Sequence, residues 1–283
     1  MLADRPSLTA LGVTLARARL DRPSVGTGDA GADQAMAASL LADAPEEMRL
    51  RAEAAEHGRT VERGADGEMW QVFGSWVIAR TSFFDEAVLQ AIADGRHQVL
   101  LLGAGYDMRA HRFRTPGVRF LEVDHPATQA DKRRRLERLG LDRGDVGFVA
   151  ADFIEPGLDA RLDAGGHRPD QPTLFVLEGV LRYLPEVAFR GLLATLARRA
   201  APGSDLAVSI SCQPTGESDD QAEVRRSREH RLAESGEAVL TMPPRQVALR
   251  WLEEAGWTTD SVVDVADLMP GARPGRLLVR AHP

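Results

Sequence analysis

The chain has a single cysteine, Cys212, among its 283 residues. That excludes an internal disulfide framework and a cysteine-ligated metal site, and the thiol reads as a small buried apolar group. The seven histidines are scattered, with no HxH or HExxH spacing, so no metal is expected. No stretch approaches the roughly 20 apolar residues that cross a bilayer. The first residues also lack the apolar core of a signal peptide, so a cytoplasmic protein with no membrane partner is expected. A formal net charge of −7 argues against a nonspecific nucleic-acid binder, whose affinity would rest on a basic surface. Lysine occurs once, at Lys132. It opens the basic run "KRRRLER" (132–138), whose helical spacing reads as a solvated face.

What is present alternates. Residues 98–102, 118–124, 146–152, 173–179 and 204–211 are short apolar runs rich in strand formers, separated by helix-compatible stretches at 126–140, 155–165 and 185–200. Such alternation predicts βαβ units and a largely parallel sheet covered on both faces. Two further strands, 258–265 and 275–281, follow a helix at 244–255; their short link suits an antiparallel pair. Ahead of the sheet, residues 8–20, 35–57 and 70–93 have helical patterns, and the glycine-rich stretch 24–34 reads as a loop with freedom to move. Residues 213–243 hold a charged helical pattern flanked by Pro214, Gly216, Pro243 and Pro244. They read as an insertion over one end of the sheet, either a cap or a solvated decoration. The division expected is a helical cover over 1–95 and an α/β, Rossmann-like unit over 96–283, with seven strands and the inserted cap.

The first strand runs into "GAGYDMR". Gly103 and Gly105 would let a ligand approach the backbone, and the next helix would offer unpaired N–H groups. A dinucleotide fingerprint wants a third glycine where Met108 stands, so a pyrophosphate fits poorly. Glu122 and Asp124 end the second strand, 19 and 21 residues past Gly103. An acid there can accept from both ribose hydroxyls; either could serve, with Asp124 nearer the strand end. Asp152 ends the third strand, placed for an adenine amino group with Phe153 beside the ring, and Glu178 ends the fourth. Acids on one rim of successive strands point to a nucleoside site.

The ordered run "RTSFFDEAV", "QVLLLGAGYDMRAHRF", "FLEVDHPATQADK", "AADF" and "LFVLEGVLRYL" resembles the leucine carboxyl methyltransferase-like group of class I S-adenosylmethionine-dependent methyltransferases. That group includes bacterial O-methyltransferases of polyketides and other small molecules. "TALGVTLARARL" (9–20) and "GEAVLTMPPRQVALRWLEEAGW" (236–257) extend the similarity over most of the chain. The resemblance implies S-adenosyl-L-methionine as cofactor. It implies Arg80 on the carboxylate of the methionine part, the Gly103 backbone lining it, Asp124 on the ribose, Asp152 and Phe153 on the adenine, and Glu178 near the methionyl ammonium. Two positions depart: Leu8 stands where some members have a lysine, and "SVGTGDAGADQAMA" (24–37) replaces a run like "FDDPYA".

Methyl transfer needs alignment of acceptor, methyl and leaving sulfur, and exclusion of water. A carboxylate acceptor is already ionised and needs no general base; a phenol or alcohol would. The expected activity is therefore O-methylation of a small molecule, a carboxylate first and a hydroxyl second. His125 is a candidate base, or is held by local turn geometry. Tyr183 either orients an acceptor oxygen or packs under the cap. Arg182 and the cap arginines Arg225, Arg226, Arg228 and Arg231 either steer an anion or are solvated. Rival expectations are a catalytically silent binding partner and a nicotinamide oxidoreductase.

Overall fold

A computed structural model describes residues 8–44, 46, 65–142, 144–234, 236–269 and 274–283, without the side chains of residues 8, 65–75, 221, 228 and 231. The contacts expected of Leu8, Arg228 and Arg231, and the part of the 35–57 helix past residue 46, lie outside the described residues.

All seven expected strands form: β1 (Gln98–Leu102), β2 (Arg119–Asp124), β3 (Val146–Ala150), β4 (Thr173–Leu177), β5 (Asp205–Ser211), β6 (Thr258–Asp264) and β7 (Arg276–His282). They make one sheet in the order β3-β2-β1-β4-β5-β7-β6. The first five run parallel. β7 enters antiparallel between β5 and β6, as the short link demands. The helices are α1 (Leu8–Arg17), α2 (Ala32–Ala42), α3 (Ala65–Ala93), α4 (Arg109–Arg112), α5 (Pro126–Arg138), α6 (Leu158–Ala164), α7 (Glu186–Arg198), α8 (Asp219–Glu234), α9 (Arg245–Glu254) and α10 (Val265–Leu268). Among the described residues no helix is long and apolar enough to cross a membrane.

Strand alternation divides the core between two faces. Val99, Leu101, Phe120 and Leu174 pack with Phe84 and Val88 of α3. Leu100, Leu102, Leu121 and Phe175 pack with Leu193 and Leu196 of α7 and Trp251 and Leu252 of α9. Each such side chain contributes about 1.5–3 kcal/mol on burial. Trp257, 1% exposed, also satisfies its ring N–H on the Leu193 carbonyl at 3.0 Å. Cys212 is buried, as expected, and burial pushes its thiol up to about 12.

Three local expectations are corrected. The run at 132–138 is not simply a solvated face: Lys132 and Arg135 point inward, Lys132 onto Glu122 Oε2 at 2.6 Å and Arg135 onto Asp131 Oδ2 at 2.7 Å. Helical spacing sends positions 132 and 135–136 to one side, and that side holds buried acids. The glycine-rich loop is shorter than 24–34, since α2 begins at Ala32, and hydrogen bonds tie it to the segment 111–114. Val25, Thr27 and Asp29 donate their N–H groups to the carbonyls of Arg112, Arg114 and His111, while the Arg112 guanidinium returns bonds to the carbonyls of Arg22, Pro23 and Ala30. A Cβ on Gly28 would overlap the Arg112 carbonyl; the glycine is there for close approach. The third correction concerns the turn after β1. The helix that follows is a single turn, α4, and the N–H of Arg109 at its start is already taken by Asp107 Oδ1 at 2.8 Å. That one donor is therefore not available to a ligand.

Candidate active site

The strand order reverses between β1 and β4, and in open α/β sheets the crevice beyond the carboxyl ends at such a switch point is where ligands bind. The loops after those two strands meet closely. Gly103, at φ +65°, leaves no room for a Cβ, which would overlap Val180 Cγ2. A side chain at Gly103 would therefore meet both a crowded neighbour and a disfavoured backbone conformation. Above this contact lies a cavity of about 360 Å³, within the range of small-molecule sites, roughly 300–1,000 Å³.

At the β2–β3 side the cavity wall includes Asp124, His125, Thr128, Asp152 and Phe153. Asp124 is 7% exposed. Its Oδ2 accepts from Gly105 N–H and its Oδ1 from His125 N–H at 2.6 Å. Burial raises its pKa and these two backbone donors oppose that rise. Glu122, the alternative on the same strand, does not line the cavity. It is 1% exposed and spent on Lys132; burial raises its pKa to about 7 despite the lysine. His125 Nδ1 accepts from Ala127 N–H at 3.3 Å, the local turn role. Its Nε2 lies 3.9 Å from Asp152 Oδ2, and Asp152 Oδ1 accepts from Ile154 N–H at 3.1 Å.

In the cavity wall and directly behind it, charges from four parts of the chain converge. Glu178, just past β4, is ion-paired through Oε1 with Arg17 Nη2 at 2.5 Å and Arg80 Nε at 2.7 Å, and its Oε2 accepts from Arg109 Nη1 at 2.6 Å. Arg17 also reaches Asp107 Oδ2 at 3.3 Å. Burial alone would raise the Glu178 pKa, but Arg17, Arg109 and Arg80 outweigh it and hold it at about 2. Asp107 is likewise buried and held far below the usual range by Arg109 and Arg17. Arg80 lies 5.3 Å from the Trp76 ring centre, as does Arg276.

The third side is made by the turn after β4 and the end of the inserted segment. Tyr183 lines the cavity from a single 3-10 turn, Leu181–Tyr183, with the Arg182 guanidinium 5.6 Å from its ring centre. The Arg182 carbonyl accepts from Leu240 and Thr241 N–H at 2.9 and 3.2 Å, which ties residues 240–241 to the turn after β4. Gly236, Glu237, Ala238 and Leu240 line the cavity, while none of the described side chains of α8 does. Of the cap arginines, Arg225 is paired with Glu217 and Glu229 at 3.1 Å, and Arg226 is exposed, the solvated alternative, and does not line the cavity. Glu237 instead binds α1, accepting Thr9 N–H at 3.1 Å and the Thr9 hydroxyl.

So the structure brings Arg80, Gly103, Gly105, Asp124, His125, Asp152, Phe153, Glu178, Tyr183 and Arg182 onto one cavity. Sequence reasoning missed Arg17, Asp107, Thr128 and Glu237. Asp107 alone had a local signal, an acid directly behind the glycine turn.

A seven-stranded sheet in this order, with its acid-rimmed crevice at the switch point, defines a class I methyltransferase fold. Solved structures agree at the level of the fold. A DUF574 family protein from Streptomyces avermitilis superposes with TM-score 0.60 at 17% identity, over 98% of each chain. A candidate methyltransferase from Thermobifida fusca gives 0.57 at 16%, over 99% of this chain and 96% of that one. Residues 10–197 match the leucine carboxyl methyltransferase family, and the chain belongs to that family. Among curated relatives, a candidate S-adenosyl-L-methionine-dependent methyltransferase of Mycobacterium avium is 34% identical over 70% of this chain and 65% of its own. One of Streptomyces avermitilis is 37% identical over 65% and 63%. The matched stretch covers less than two thirds of these relatives' own length.

Proposed function

We propose that the protein is an S-adenosyl-L-methionine-dependent O-methyltransferase of a small molecule, with a carboxylate oxygen as the favoured acceptor. The carrying observation is that Arg80 and Glu178, 2.7 Å apart, line the same cavity as Asp124 and Asp152. An adjacent cation and anion suit an amino-acid zwitterion, and an acid at the end of β2 suits a ribose. A ligand that is a nucleoside at one end and an amino acid at the other matches both. The residues present fit that group: Asp124 would hold the ribose, Asp152 and Phe153 the adenine, Arg80 the carboxylate and Glu178 the ammonium, with the Gly103 backbone alongside. When bound, the cofactor supplies an electrophilic methyl group on a sulfonium.

The acceptor end supports an oxygen that is already ionised. His125 is turned to the β2–β3 side and engaged with Ala127. Glu178 at about 2 is too weak a base for a hydroxyl, and Glu237 is engaged with Thr9. Arg182 lines the cavity, and among the described residues no carboxylate pairs with it, whereas Arg17 and Arg80 both have one. Arg182 and Tyr183 would orient the acceptor; the cap return and α1 would exclude water.

Calorimetric titration with S-adenosylmethionine and S-adenosylhomocysteine tests the cofactor. Binding at micromolar levels, weakened at least tenfold by Arg80→Ala, is expected; no binding to either would sink the reading. In turnover, alkaline release of methanol from the product marks an ester. A base-stable product would give the reaction to a hydroxyl acceptor instead. Cofactor binding with no turnover on any acceptor would favour a silent binding partner.

A further inference from the structure

We infer that Arg17, at the end of α1, is a second ligand of the cofactor's methionyl carboxylate, beside Arg80; this rests on the cofactor reading above. Arg17 and Arg80 come from α1 and α3, and both line the cavity. Both meet Glu178 on one oxygen, Oε1, at 2.5 and 2.7 Å. Two guanidiniums thus flank a single point of the wall.

Three arginines surround Glu178, and their hydrogen bonds divide them. Arg109 is 0% exposed and does not line the cavity. Its Nε, Nη1 and Nη2 all donate, to Asp85, Asp107, Glu178 and the Thr81 carbonyl. Arg17 donates only through Nε, to the Thr81 hydroxyl at 3.4 Å. Its Nη groups meet Asp107 and Glu178 as charges, outside hydrogen-bond geometry. Among the described residues no Nη atom of Arg17 or Arg80 has a hydrogen-bond partner, and none of the four is sealed from the surface. Both side chains are otherwise buried, so the access these atoms keep is on the cavity side.

The charge balance says that the group bound there is an anion. Glu178 Oε1 answers two cations at once, and Arg109 draws on both Glu178 and Asp107. Burial lowers the pKa of Arg80, and the neighbouring charge of Arg17 adds to that against the pull of Glu178. An anion between the two guanidiniums relieves their repulsion. A carboxylate suits the place, since each of its oxygens can accept from one of the two arginines. The methionyl carboxylate is the anionic group of the cofactor, and Arg80 already faces it.

The test is calorimetry with S-adenosylhomocysteine and its decarboxylated analogue, S-adenosyl-3-thiopropylamine, on wild type, Arg17→Gln and Arg80→Gln. Arg17→Gln should bind S-adenosylhomocysteine about ten- to hundredfold more weakly, and the decarboxylated analogue no more weakly than wild type does. Arg80→Gln, which leaves Arg17 in place, should still prefer S-adenosylhomocysteine to the analogue. Unchanged binding of S-adenosylhomocysteine by Arg17→Gln, an equal loss on both ligands, or no preference left in Arg80→Gln would overturn the assignment. If Arg17→Gln does not fold, the preference of Arg80→Gln decides alone. Wild type that binds neither ligand would overturn the cofactor reading itself, a result distinct from any of these.

Discussion

Arg17 on the first helix sets Nη2 2.5 Å from Glu178 Oε1 at the end of the fourth strand, and both side chains are buried. A helix of the cover thus supplies one of the charges in the cavity wall. Removing Arg17 leaves Glu178 still paired with Arg80 and Arg109, so the cost is that of one charge-assisted contact, about 1.5–3 kcal/mol. Arg17→Ala should lower the unfolding free energy in urea by that order. It should also raise hydrogen exchange in Leu8–Arg17; a change below 1 kcal/mol would mean the pair is not formed in solution.

Gly103 offers a second test, because two separate penalties meet there. An alanine would overlap Val180 Cγ2 and would have to adopt φ +65°. Gly103→Ala should cost about 2–4 kcal/mol of stability. Adding Val180→Ala should relieve the overlap and recover only part of the loss, since the backbone strain remains. Full recovery in thermal melts would show that the strain contributes nothing.

Glu237 should act as the clasp between the inserted segment and the first helix. Glu237→Gln weakens its bonds to the Thr9 N–H and hydroxyl and should cost about 1 kcal/mol. Exchange of the α1 amides should quicken and S-adenosylhomocysteine should dissociate several-fold faster, by stopped flow. Unchanged dissociation would leave Glu237 as a static packing residue.

Through His167 and Glu178, acid should lower the unfolding free energy over two pH windows. His167, 3% exposed, is pushed from 6.5 to about 4, first by burial and then by Arg199. It is neutral in the folded chain, so its share of stability is present above pH 6.5 and is lost as pH falls toward 4. Glu178, ordinarily at 4.5 and held at about 2, keeps its share above pH 4.5 and loses it as pH falls toward 2. Glu122, raised by burial to about 7, contributes the opposite slope between 4.5 and 7, so His167→Gln should make the dependence of unfolding free energy on pH less positive than in wild type between 4 and 6.5, and leave the slope below 4 as it was. An unaltered slope in the upper window would show that His167 is already solvated.

The strands and their acids were legible because their signals are local. β1, β3 and β4 are almost wholly apolar runs and β2 is interrupted only by Glu122, and Asp124, Asp152 and Glu178 stand at or just past the ends of theirs, so a rim could be inferred from order alone. The same logic could not separate Asp124 from Glu122. Both sit on β2 two residues apart, and only Lys132, folded back from α5, takes Glu122 out of use. Nor could it find Arg17 or Glu237, whose partners are remote in sequence. The loop at 24–31 misled for a related reason. Glycine enrichment signals either freedom or close approach, and the Arg112 carbonyl against Gly28 is visible only once the chain is folded.

The Thr9–Glu237 contact spans 228 positions, which bears on how the protein reaches its working state. Contacts so distant in sequence form late, because the loop entropy must be lost before they can form. A chain with its sheet already paired would still lack the clasp and the Arg17 charge, and so would hold ligand weakly. Affinity for the nucleoside should therefore be the last property to appear during refolding, and a stricter gauge of completed folding than helix or strand content.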